Sequence, residues 1–354
     1  MRLKKEIDIA FALLRGALEG SIPEVKRLET DTWWRMFRLL QQNHVAALTA
    51  DAMSKLDVPR EVKIPWLAEC DKAERWHRYQ QEVQTEIIGV MRQHGIPTLV
   101  LKGTHLSQYY PQPELREFGD LDLYFYDKHD EADRVAREVL KVEVSDDAHH
   151  HTKYNYRGVT VESHYDFLNT HYPPSNRRYE TMLKELISTS DSHSSFITQH
   201  SSFEILFLLR HMACHFAASR ITLRDLVDWA LTCQALNDKV DWGRVQDIAT
   251  EYGMSSFVRA LSIVAEHQLG ISMPLQLSNG PDDIADRDLF ERDIVYGSVD
   301  DHAADGIGRL GWKFRRWNAL AWKRRMVYSD SSLSLWLASL TSHTMKPQSF
   351  LHKQ

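Results

Sequence analysis

The sequence predicts an α+β protein in which a few short strands lie between helical regions at the two ends of the chain. Apolar residues recur at helical spacing before residue 95 and again after residue 200. Between these regions, residues 98–101 form an apolar run, and residues 120–126 and 158–167 alternate between the two faces of an extended chain. Gly and Pro residues separate the segments. The pattern therefore predicts helices, then strands, then helices.

The composition indicates a globular protein long enough for a core with helical additions. The chain has 354 residues, of which 43% are hydrophobic and 26% charged, and its formal net charge is −6. An acidic chain has no overall basic field, so nucleic acid is not favoured as a partner. The three cysteines are too few and too scattered for a disulfide framework or a C-x-x-C metal motif, so we expect a reducing, cytoplasmic location. No run of about 18 apolar residues occurs, so we expect no membrane span.

The N-terminal helical region is predicted over residues 1–72. It begins like a signal peptide, but Glu6 and Asp8 interrupt the apolar run, and the apolar residues follow helical spacing. We therefore expect an amphipathic helix packed on a core. Pro59 and Pro65 are expected to lie in the loops that close this region.

The core is predicted over residues 73–175, and it opens with a long helix that extends from about residue 71 to residue 94. This helix carries one apolar stripe and ends at Gly95-Ile-Pro, a combination typical of helix termini. The remaining predicted elements are a strand at 98–101, a short helix at 104–110, a strand from Asp120, a helix at 130–142, and two strands between 142 and 168 that turn near Arg157-Gly158.

The C-terminal region, predicted over residues 176–354, is mainly helical. Apolar stripes at 205–216 and 223–231 predict two buried helices. Residues 278–306 are acidic and contain Pro and Gly, which predicts a loop-rich connection around one short helix.

Two aspartates mark the candidate functional site. Asp120 and Asp122 open the second strand, and because side chains alternate along a strand they share one face. Two carboxylates side by side repel each other unless a cation lies between them, which suggests Mg²⁺. The Gly103-Thr104 turn after the first strand offers backbone N–H groups and a hydroxyl that could hold phosphate oxygens. A metal beside a phosphate-binding turn indicates phosphoryl or nucleotidyl transfer.

A third carboxylate appears on the strand at 158–167. Glu162 lies on its polar face, and on a strand beside Asp120 and Asp122 it would complete a three-carboxylate site. Three acidic ligands can hold two ions, of which one helps to ionise the attacking hydroxyl and the other neutralises the leaving phosphate.

Two basic residues flank these motifs. Lys102 precedes the Gly103-Thr104 turn, and Arg116 lies four residues before Asp120. Either could contact triphosphate oxygens, Lys102 as a point charge and Arg116 through a two-pronged hydrogen bond. Arg116 is also close enough in sequence to pair with an aspartate instead.

The motifs Leu101-Lys-Gly-Thr, Gly119-Asp-Leu-Asp-Leu preceded by Arg116, and Val161-Glu-Ser-His resemble the uncharacterised nucleotidyltransferase family of the polymerase-β-like superfamily. That superfamily has a Gly-Ser turn, an Asp-x-Asp strand and a later acidic residue. Thr104 departs from the usual Ser, keeping the hydroxyl and adding a methyl group. The resemblance covers about two thirds of the chain, and only these motifs are specific.

The resemblance implies a small mixed β-sheet backed by helices, two Mg²⁺ ions, and an NTP substrate that we expect to be ATP. It implies transfer of an NMP group to an acceptor hydroxyl, on a small molecule or a protein, with release of pyrophosphate. Carried over to this chain, Asp120, Asp122 and Glu162 are the metal-binding and catalytic residues, and Gly103 and Thr104 hold the phosphates.

Two other functions remain open at this stage. A non-catalytic nucleotide- or protein-binding module could retain the same fold and motifs. A metal-dependent phosphohydrolase would use the same residues but release phosphate without labelling an acceptor.

Several features outside the motifs allow more than one interpretation. His149, His150, His151 and His164 could approach the metals, although a plain structural role on the strands is favoured. His211 and His215 share a helix face, but Met212 stands where a zinc-protease helix needs Glu, so we favour a hydrogen-bonded network with Arg224 and Asp228. Residues 309–325 mix basic residues with tryptophan, for which we favour a helix with its tryptophans packed inward over a nucleic-acid or membrane surface.

Overall fold

The computed structural model of the chain describes residues 2–146, 149–188, 201–278, 284–297 and 309–345. The chain divides into two compact units, each built from separate segments. The helical unit comprises Met1–Arg75, Tyr109–Glu117 and Leu208–Tyr328, and the sheet unit comprises Trp76–Gln108, Phe118–Phe207 and Ser329–Gln354. The division into regions 1–72, 73–175 and 176–354 stays a prediction.

Helices account for most of the described residues, and we number them in chain order. They are α1 (Arg2–Glu19), α2 (Thr30–Gln42), α3 (Ala50–Ser54), α4 (Arg60–Gln93), α5 (Thr104–Ser107), α6 (His129–Val135), α7 (Asn176–Ser188), α8 (Ser201–Ala218), α9 (Leu223–Ala235), α10 (Trp242–Glu251), α11 (Ser255–Val264), α12 (Leu275–Ser278), α13 (Ile284–Tyr296), α14 (Arg309–Ala319), α15 (Ala321–Val327) and α16 (Ser332–Met345). Short 3₁₀ or π segments occur at Pro113–Leu115, Tyr126–Lys128, Ala136–Leu140, Asn237–Lys239 and Ala265–Leu269. Within the described ranges, none of these helices is both long enough and apolar enough to cross a bilayer.

The sheet unit contains a four-stranded mixed sheet. Its strands are β1 (Leu99–Val100), β2 (Asp120–Tyr124), β3 (His151–Tyr156) and β4 (Val159–His164), in the order β1-β2-β4-β3. The central pair β2–β4 is parallel, whereas β1–β2 and β3–β4 are antiparallel. The α+β class, the small mixed sheet and the helices at both ends of the chain are therefore confirmed.

A two-residue turn joins β3 to β4 where the sequence predicted it. Arg157 and Gly158 both have positive φ, 53° and 83°, which is the backbone of the hairpin turn that matches strand twist. The Arg157 guanidinium lies 2.6 Å from a Glu86 carboxylate oxygen on α4, and the Tyr79 hydroxyl donates to the Arg157 carbonyl at 2.7 Å. These contacts hold the hairpin against the helix and fix its register.

One face of the sheet forms the apolar core of the sheet unit. Apolar side chains from the central strands pack against the C-terminal half of α4 and against α6. The buried members are Val83, Ile87, Met91, Ile96, Leu121, Leu123, Phe125, Ala132, Val135, Ala136, Leu140, Tyr154, Val159 and Val161. Because side chains alternate along a strand, the residues between them on β2 and β4 lie on the opposite face.

The helical unit has its own core, rich in aromatic rings. The predicted amphipathic helix is confirmed as α1, with Phe11 and Leu14 fully buried. The Trp66 ring lies 6.3 Å from that of Trp33 and 5.3 Å from that of Phe37. Such pairs add to the free energy gained from burying the rings themselves.

The start of α4 differs from the prediction. The helix begins at Arg60 rather than near residue 71, so the expectation that Pro65 lies in a loop was wrong. Proline cannot donate to the carbonyl of Glu61, but one missing bond near the start of a 34-residue helix is tolerated. The buried ring of Trp66, next in sequence, anchors these first turns in the core of the helical unit.

Part of the predicted acidic connection at 278–306 lies outside the described residues, which omit 279–283 and 298–308. The short helix expected within it corresponds to α13, Ile284–Tyr296.

Candidate functional site

The parallel pairing of β2 with β4 brings two of the predicted acidic residues side by side. Asp122 is in register with Glu162, and Asp120 is in register with Thr160. Asp120 shares the strand face of Asp122, opposite the apolar core. We call Asp120, Asp122 and Glu162 the carboxylate cluster.

The chain supplies its own cations to this cluster. The Lys102 Nζ lies 2.9 Å from Asp122 Oδ1, and the Lys153 Nζ lies 2.8 Å from Glu162 Oε1. The His164 Nε2 lies between the two acids, 3.2 Å from Asp122 Oδ1 and 3.7 Å from Glu162 Oε2. Positive side chains therefore offset the repulsion that adjacent carboxylates would otherwise suffer.

Lys153 was not singled out from the sequence, although a signal for it existed. It lies in register with Glu162 on β3, and His151 lies in register with His164. Once the hairpin turn at residues 157–158 is recognised, counting back along the antiparallel strand gives both pairs.

The acids of the cluster respond differently to this environment. Burial raises the pKa of Asp120, and repulsion from Asp122 and Glu162 adds to the rise. Burial alone would also raise the pKa of Asp122, but attraction to Lys102 and the hydrogen bond from His164 bring it below its ordinary value. For Glu162 the same burial effect is outweighed by His164, His151 and Lys153, and its pKa is lowered. Asp122 and Glu162 are therefore ionised at neutral pH.

His164 is a buried histidine whose pKa is raised. Its burial alone would lower its pKa, but hydrogen bonds to Asp122 and Glu162 raise the pKa to about 9. Its other ring nitrogen, Nδ1, lies 3.2 Å from the Asp166 carbonyl oxygen and donates to it. The pKa of Lys102 is also raised. Burial alone would lower it, but the carboxylates of Asp122, Asp120 and Glu162 outweigh that effect.

The turn after β1 has the backbone that only glycine adopts easily. Gly103 has a φ of 56°, and a Cβ at this position would lie 3.2 Å from the Phe118 ring. Thr104 begins α5, and its hydroxyl donates to Gln84 Oε1 at 2.5 Å. The Thr104 side chain is therefore tied to α4, while the backbone at Gly103 carries no side chain.

Arg116 belongs to the helical unit, where Asp228 binds both prongs of its guanidinium. The Nε atom lies 2.7 Å from Asp228 Oδ1 and the Nη2 atom 2.8 Å from Oδ2, with both side chains 3% exposed. The Tyr110 hydroxyl donates to the same carboxylate at 2.7 Å. Contact between Arg116 and a phosphate stays a prediction.

The basic, tryptophan-rich segment makes contacts inside the helical unit. Lys323 is fully buried and lies 2.6 Å from an Asp293 carboxylate oxygen, and the Arg324 guanidinium stacks 3.7 Å from the centre of the Trp317 ring.

Histidines gather beside the carboxylate cluster. The ring centres of His150, His151 and His164 are 4.5–5.4 Å apart, and one nitrogen of each lies within 4.8 Å of the others. We call these three residues the histidine cluster. Burial lowers the pKa of His150 well below its usual value and that of His151 to about 4, so both rings are neutral at neutral pH. His211 and His215 form a separate pair on α8, with ring centres 4.4 Å apart.

Comparison with known proteins places the chain in a family. A family model described as "Uncharacterised nucleotidyltransferase" matches residues 29–270. The match covers more than half of the chain and includes the whole carboxylate cluster and the Gly103-Thr104 turn. The chain belongs to this family. No curated protein and no solved structure matches the chain.

Membership in the uncharacterised nucleotidyltransferase family supports a general role in nucleotidyl transfer. Nucleotidyltransferases generally use divalent metal ions, and Asp122, Glu162 and His164 form a group that could hold such an ion, a group that does not include Asp120. Carboxylate oxygens are the ligands that Mg²⁺ prefers. Asp122, Glu162 and His164 each offer one ligand atom, and these atoms all lie within 4.8 Å of one another.

Proposed function

We propose that this protein transfers a nucleotidyl group from an NTP, with ATP as the expected nucleotide, to a hydroxyl group of a small molecule or a protein. The acceptor oxygen attacks the α-phosphorus and forms a new P–O bond, while the bond to the β-phosphate breaks and pyrophosphate leaves. The register of Asp122 with Glu162, on the sheet face opposite the core, is the observation that carries this proposal. Family membership supports the same class of reaction.

The carboxylate cluster has the chemistry to hold Mg²⁺ through Asp120, Asp122 and Glu162. Bound there, Mg²⁺ neutralises charge on the transferring phosphate and lowers the pKa of the attacking hydroxyl. His164 acts as a positioning residue, because its Nε2 contacts both Asp122 and Glu162 while its Nδ1 is held by the Asp166 carbonyl.

The residues before and within the turn are proposed to bind the phosphates. The Lys102 side chain is 19% exposed, so its ammonium can exchange Asp122 for a phosphate oxygen. Gly103 lets phosphate oxygens approach the backbone because no Cβ stands in the way. Thr104 offers its backbone N–H, since Gln84 already accepts its hydroxyl hydrogen.

A second candidate is a nucleotide-binding module that retains the fold without catalysis. The cations around the cluster favour it, because Lys102, Lys153 and His164 already contact Asp122 and Glu162. If a metal ion does not displace these side chains, the site binds a nucleotide without catalysing its transfer.

Labelled ATP separates these functions. The protein is incubated with Mg²⁺, a lysate that supplies acceptors, and ATP carrying label on either the α- or the γ-phosphate. Nucleotidyl transfer moves the α-label, but not the γ-label, onto an acceptor and releases pyrophosphate. A phosphohydrolase releases γ-labelled phosphate and labels no acceptor, and a binding module retains intact ATP.

The Asp122→Asn variant is the matched control for this experiment. It keeps the volume of the side chain but removes a charge that Mg²⁺ requires. Mg²⁺-dependent ATP binding that persists unchanged in this variant would contradict the proposed site.

A further inference from the structure

His150 and His151 lie beside the carboxylate cluster, yet the proposed transfer reaction uses neither of them. With His164 they bring three imidazole nitrogens within 4.8 Å of one another. Zinc binds imidazole nitrogens at about 2.05 Å in tetrahedral geometry. Two nitrogens that bind the same zinc ion therefore lie about 3.4 Å apart.

Two nitrogens of this cluster are buried without a hydrogen-bond partner among the described residues. They are Nδ1 of His150 and Nδ1 of His151, and the His151 residue as a whole is only 8% exposed. A buried polar atom without a partner costs free energy that a ligand can recover. Two such atoms from adjacent residues, beside a third imidazole, therefore point to a position that can bind a ligand.

His164 is oriented as metal-binding histidines are. Its Nδ1 donates to the backbone carbonyl of Asp166 at 3.2 Å, so Nε2, which contacts Asp122 at 3.2 Å, is the nitrogen that would bind an ion after giving up its proton. A hydrogen bond of this kind fixes the ring orientation and the tautomer of a ligating histidine. Asp122 and Glu162 lie on the same side and contribute the negative charge that offsets a divalent ion.

We propose that His150, His151 and His164 bind one divalent transition-metal ion of the zinc class. Imidazole nitrogen is a borderline donor that suits Zn²⁺ and Co²⁺, whereas Mg²⁺ requires oxygen. Three protein ligands and an open fourth position form the arrangement found at zinc sites that also bind water or substrate. This site differs from the carboxylate cluster in donor type and in selectivity, and it stands whether or not the chain transfers nucleotides.

Titration of the metal-free, full-length protein with Zn²⁺ or Co²⁺ tests the proposal. Calorimetry gives the affinity and stoichiometry for Zn²⁺, and the visible spectrum of Co²⁺ reports its nitrogen ligands and coordination number. We expect one ion per chain with histidine coordination, in the presence of excess Mg²⁺.

Variants of the cluster locate the ion. Loss of one of three ligands in His150→Ala or His151→Gln is expected to weaken Zn²⁺ binding by at least the roughly 10–100-fold that loss of a hydrogen-bond partner of a metal ligand costs. His149→Ala is the matched control, because His149 is adjacent in sequence but its ring packs on His171, with ring centres 5.3 Å apart. It is expected to bind Zn²⁺ like the unaltered chain. Circular dichroism and the melting temperature of each metal-free variant establish that it is folded.

The outcomes separate this site from the proposed function. Zn²⁺ affinity that is unchanged in both cluster variants, or reduced equally in His149→Ala, would overturn the proposal, and so would an unaltered chain that binds no Zn²⁺. Mg²⁺-dependent ATP binding is expected to be retained in His150→Ala and lost in Asp122→Asn. Loss of ATP binding in Asp122→Asn together with intact Zn²⁺ binding would support both sites independently.

Discussion

Each unit of the chain buries a charged cluster, and the two clusters differ in how their charges are balanced. In the helical unit, Arg116 and Asp228 form a two-pronged pair at 2.7 and 2.8 Å, and Tyr110 adds a third hydrogen bond. In the sheet unit, Asp122 and Glu162 receive single contacts from several partners, at distances that range from 2.8 to 3.7 Å.

The difference separates a structural ion pair from a site that can exchange partners. A planar guanidinium and a carboxylate that satisfy each other leave little reason to rearrange. Lysine ammonium groups are point charges on flexible stems, and they can release a carboxylate to a competing cation at a lower cost. We therefore expect mutations of the Arg116–Asp228 pair to affect folding and mutations of the carboxylate cluster to affect binding and chemistry.

The largest expected effect is on catalysis. Asp122→Asn removes a charge that the proposed metal site needs, and we expect transfer of α-label from ATP to fall by about 1000-fold, because a bound cation supplies several kcal/mol of transition-state stabilisation. Asp228→Asn is the matched control, a change of the same kind in the helical unit. Measured below its melting temperature, it should retain the activity of the unaltered chain. Equal losses of transfer activity in the two variants would contradict the proposed difference between the two clusters.

The next largest effect is on stability, and here Asp228→Asn in the helical unit is the substitution expected to act. Asp228→Asn leaves the Arg116 guanidinium buried without a full counter-charge, and we expect the free energy of unfolding to fall by about 3 kcal/mol. Urea denaturation followed by tryptophan fluorescence measures it, since most of the tryptophans belong to the helical unit. Reduced ATP affinity with unchanged stability would instead indicate that Arg116 contacts the nucleotide, as the sequence suggested.

The pH dependence of stability tests the contacts between His164 and the carboxylate cluster. The pKa of His164 is about 9 in the folded chain and 6.5 for an ordinary histidine, so its stabilising effect is complete below about pH 6.5 and is lost as pH rises through about 9. Asp122 and Glu162 hold the proton, while Lys102 opposes it. We expect the metal-free chain to lose up to about 3 kcal/mol of stability across this window.

His164→Gln should flatten this loss, because glutamine does not titrate. A slope that survives the substitution would assign the effect to another group. Each denaturation series is run with a chelator present, so that no metal ion competes with the proton.

The smallest effect concerns the turn. Gly103→Ala places a methyl group at a φ of 56° and against the Phe118 ring, and we expect a loss of about 1–2 kcal/mol in stability together with weaker ATP binding. Gly119→Ala is the control, because no atom lies within 4 Å of its Cβ position and its φ is not positive. Equal effects of the two changes would show that the conformation of Gly103 is not required.

Local patterns in the sequence were enough to predict the elements around the site. The alternation of residues 120–126 and 158–167 predicted which side chains share a face, and Arg157-Gly158 predicted the turn. These signals are local, because side-chain alternation and turn conformation depend on neighbouring residues. The pairing of Asp122 with Glu162 needed one further assumption, that their strands are adjacent.

Pairings between distant residues could not be predicted in the same way. Arg116 and Asp228 are separated by 112 positions, and nothing near either residue in sequence specifies the other. The extension of α4 through Pro65 was missed because the packing of Trp66 outweighs the local preference of proline. Tertiary contacts of this kind are decided by the whole fold rather than by local sequence.

The contacts around His164 imply that the carboxylate cluster can bind a new cation only by releasing positive charge. Two lysines and a protonated imidazole already contact Asp122 and Glu162, so the proposed divalent ion would displace positive charge from the site. Part of that charge departs as a proton, because His164 is protonated at neutral pH. If the proposed ion binds, we expect the heat of binding to depend on the ionisation enthalpy of the buffer. We also expect alkaline conditions to strengthen binding of that ion while they destabilise the metal-free fold, because the proton and the ion compete for the site.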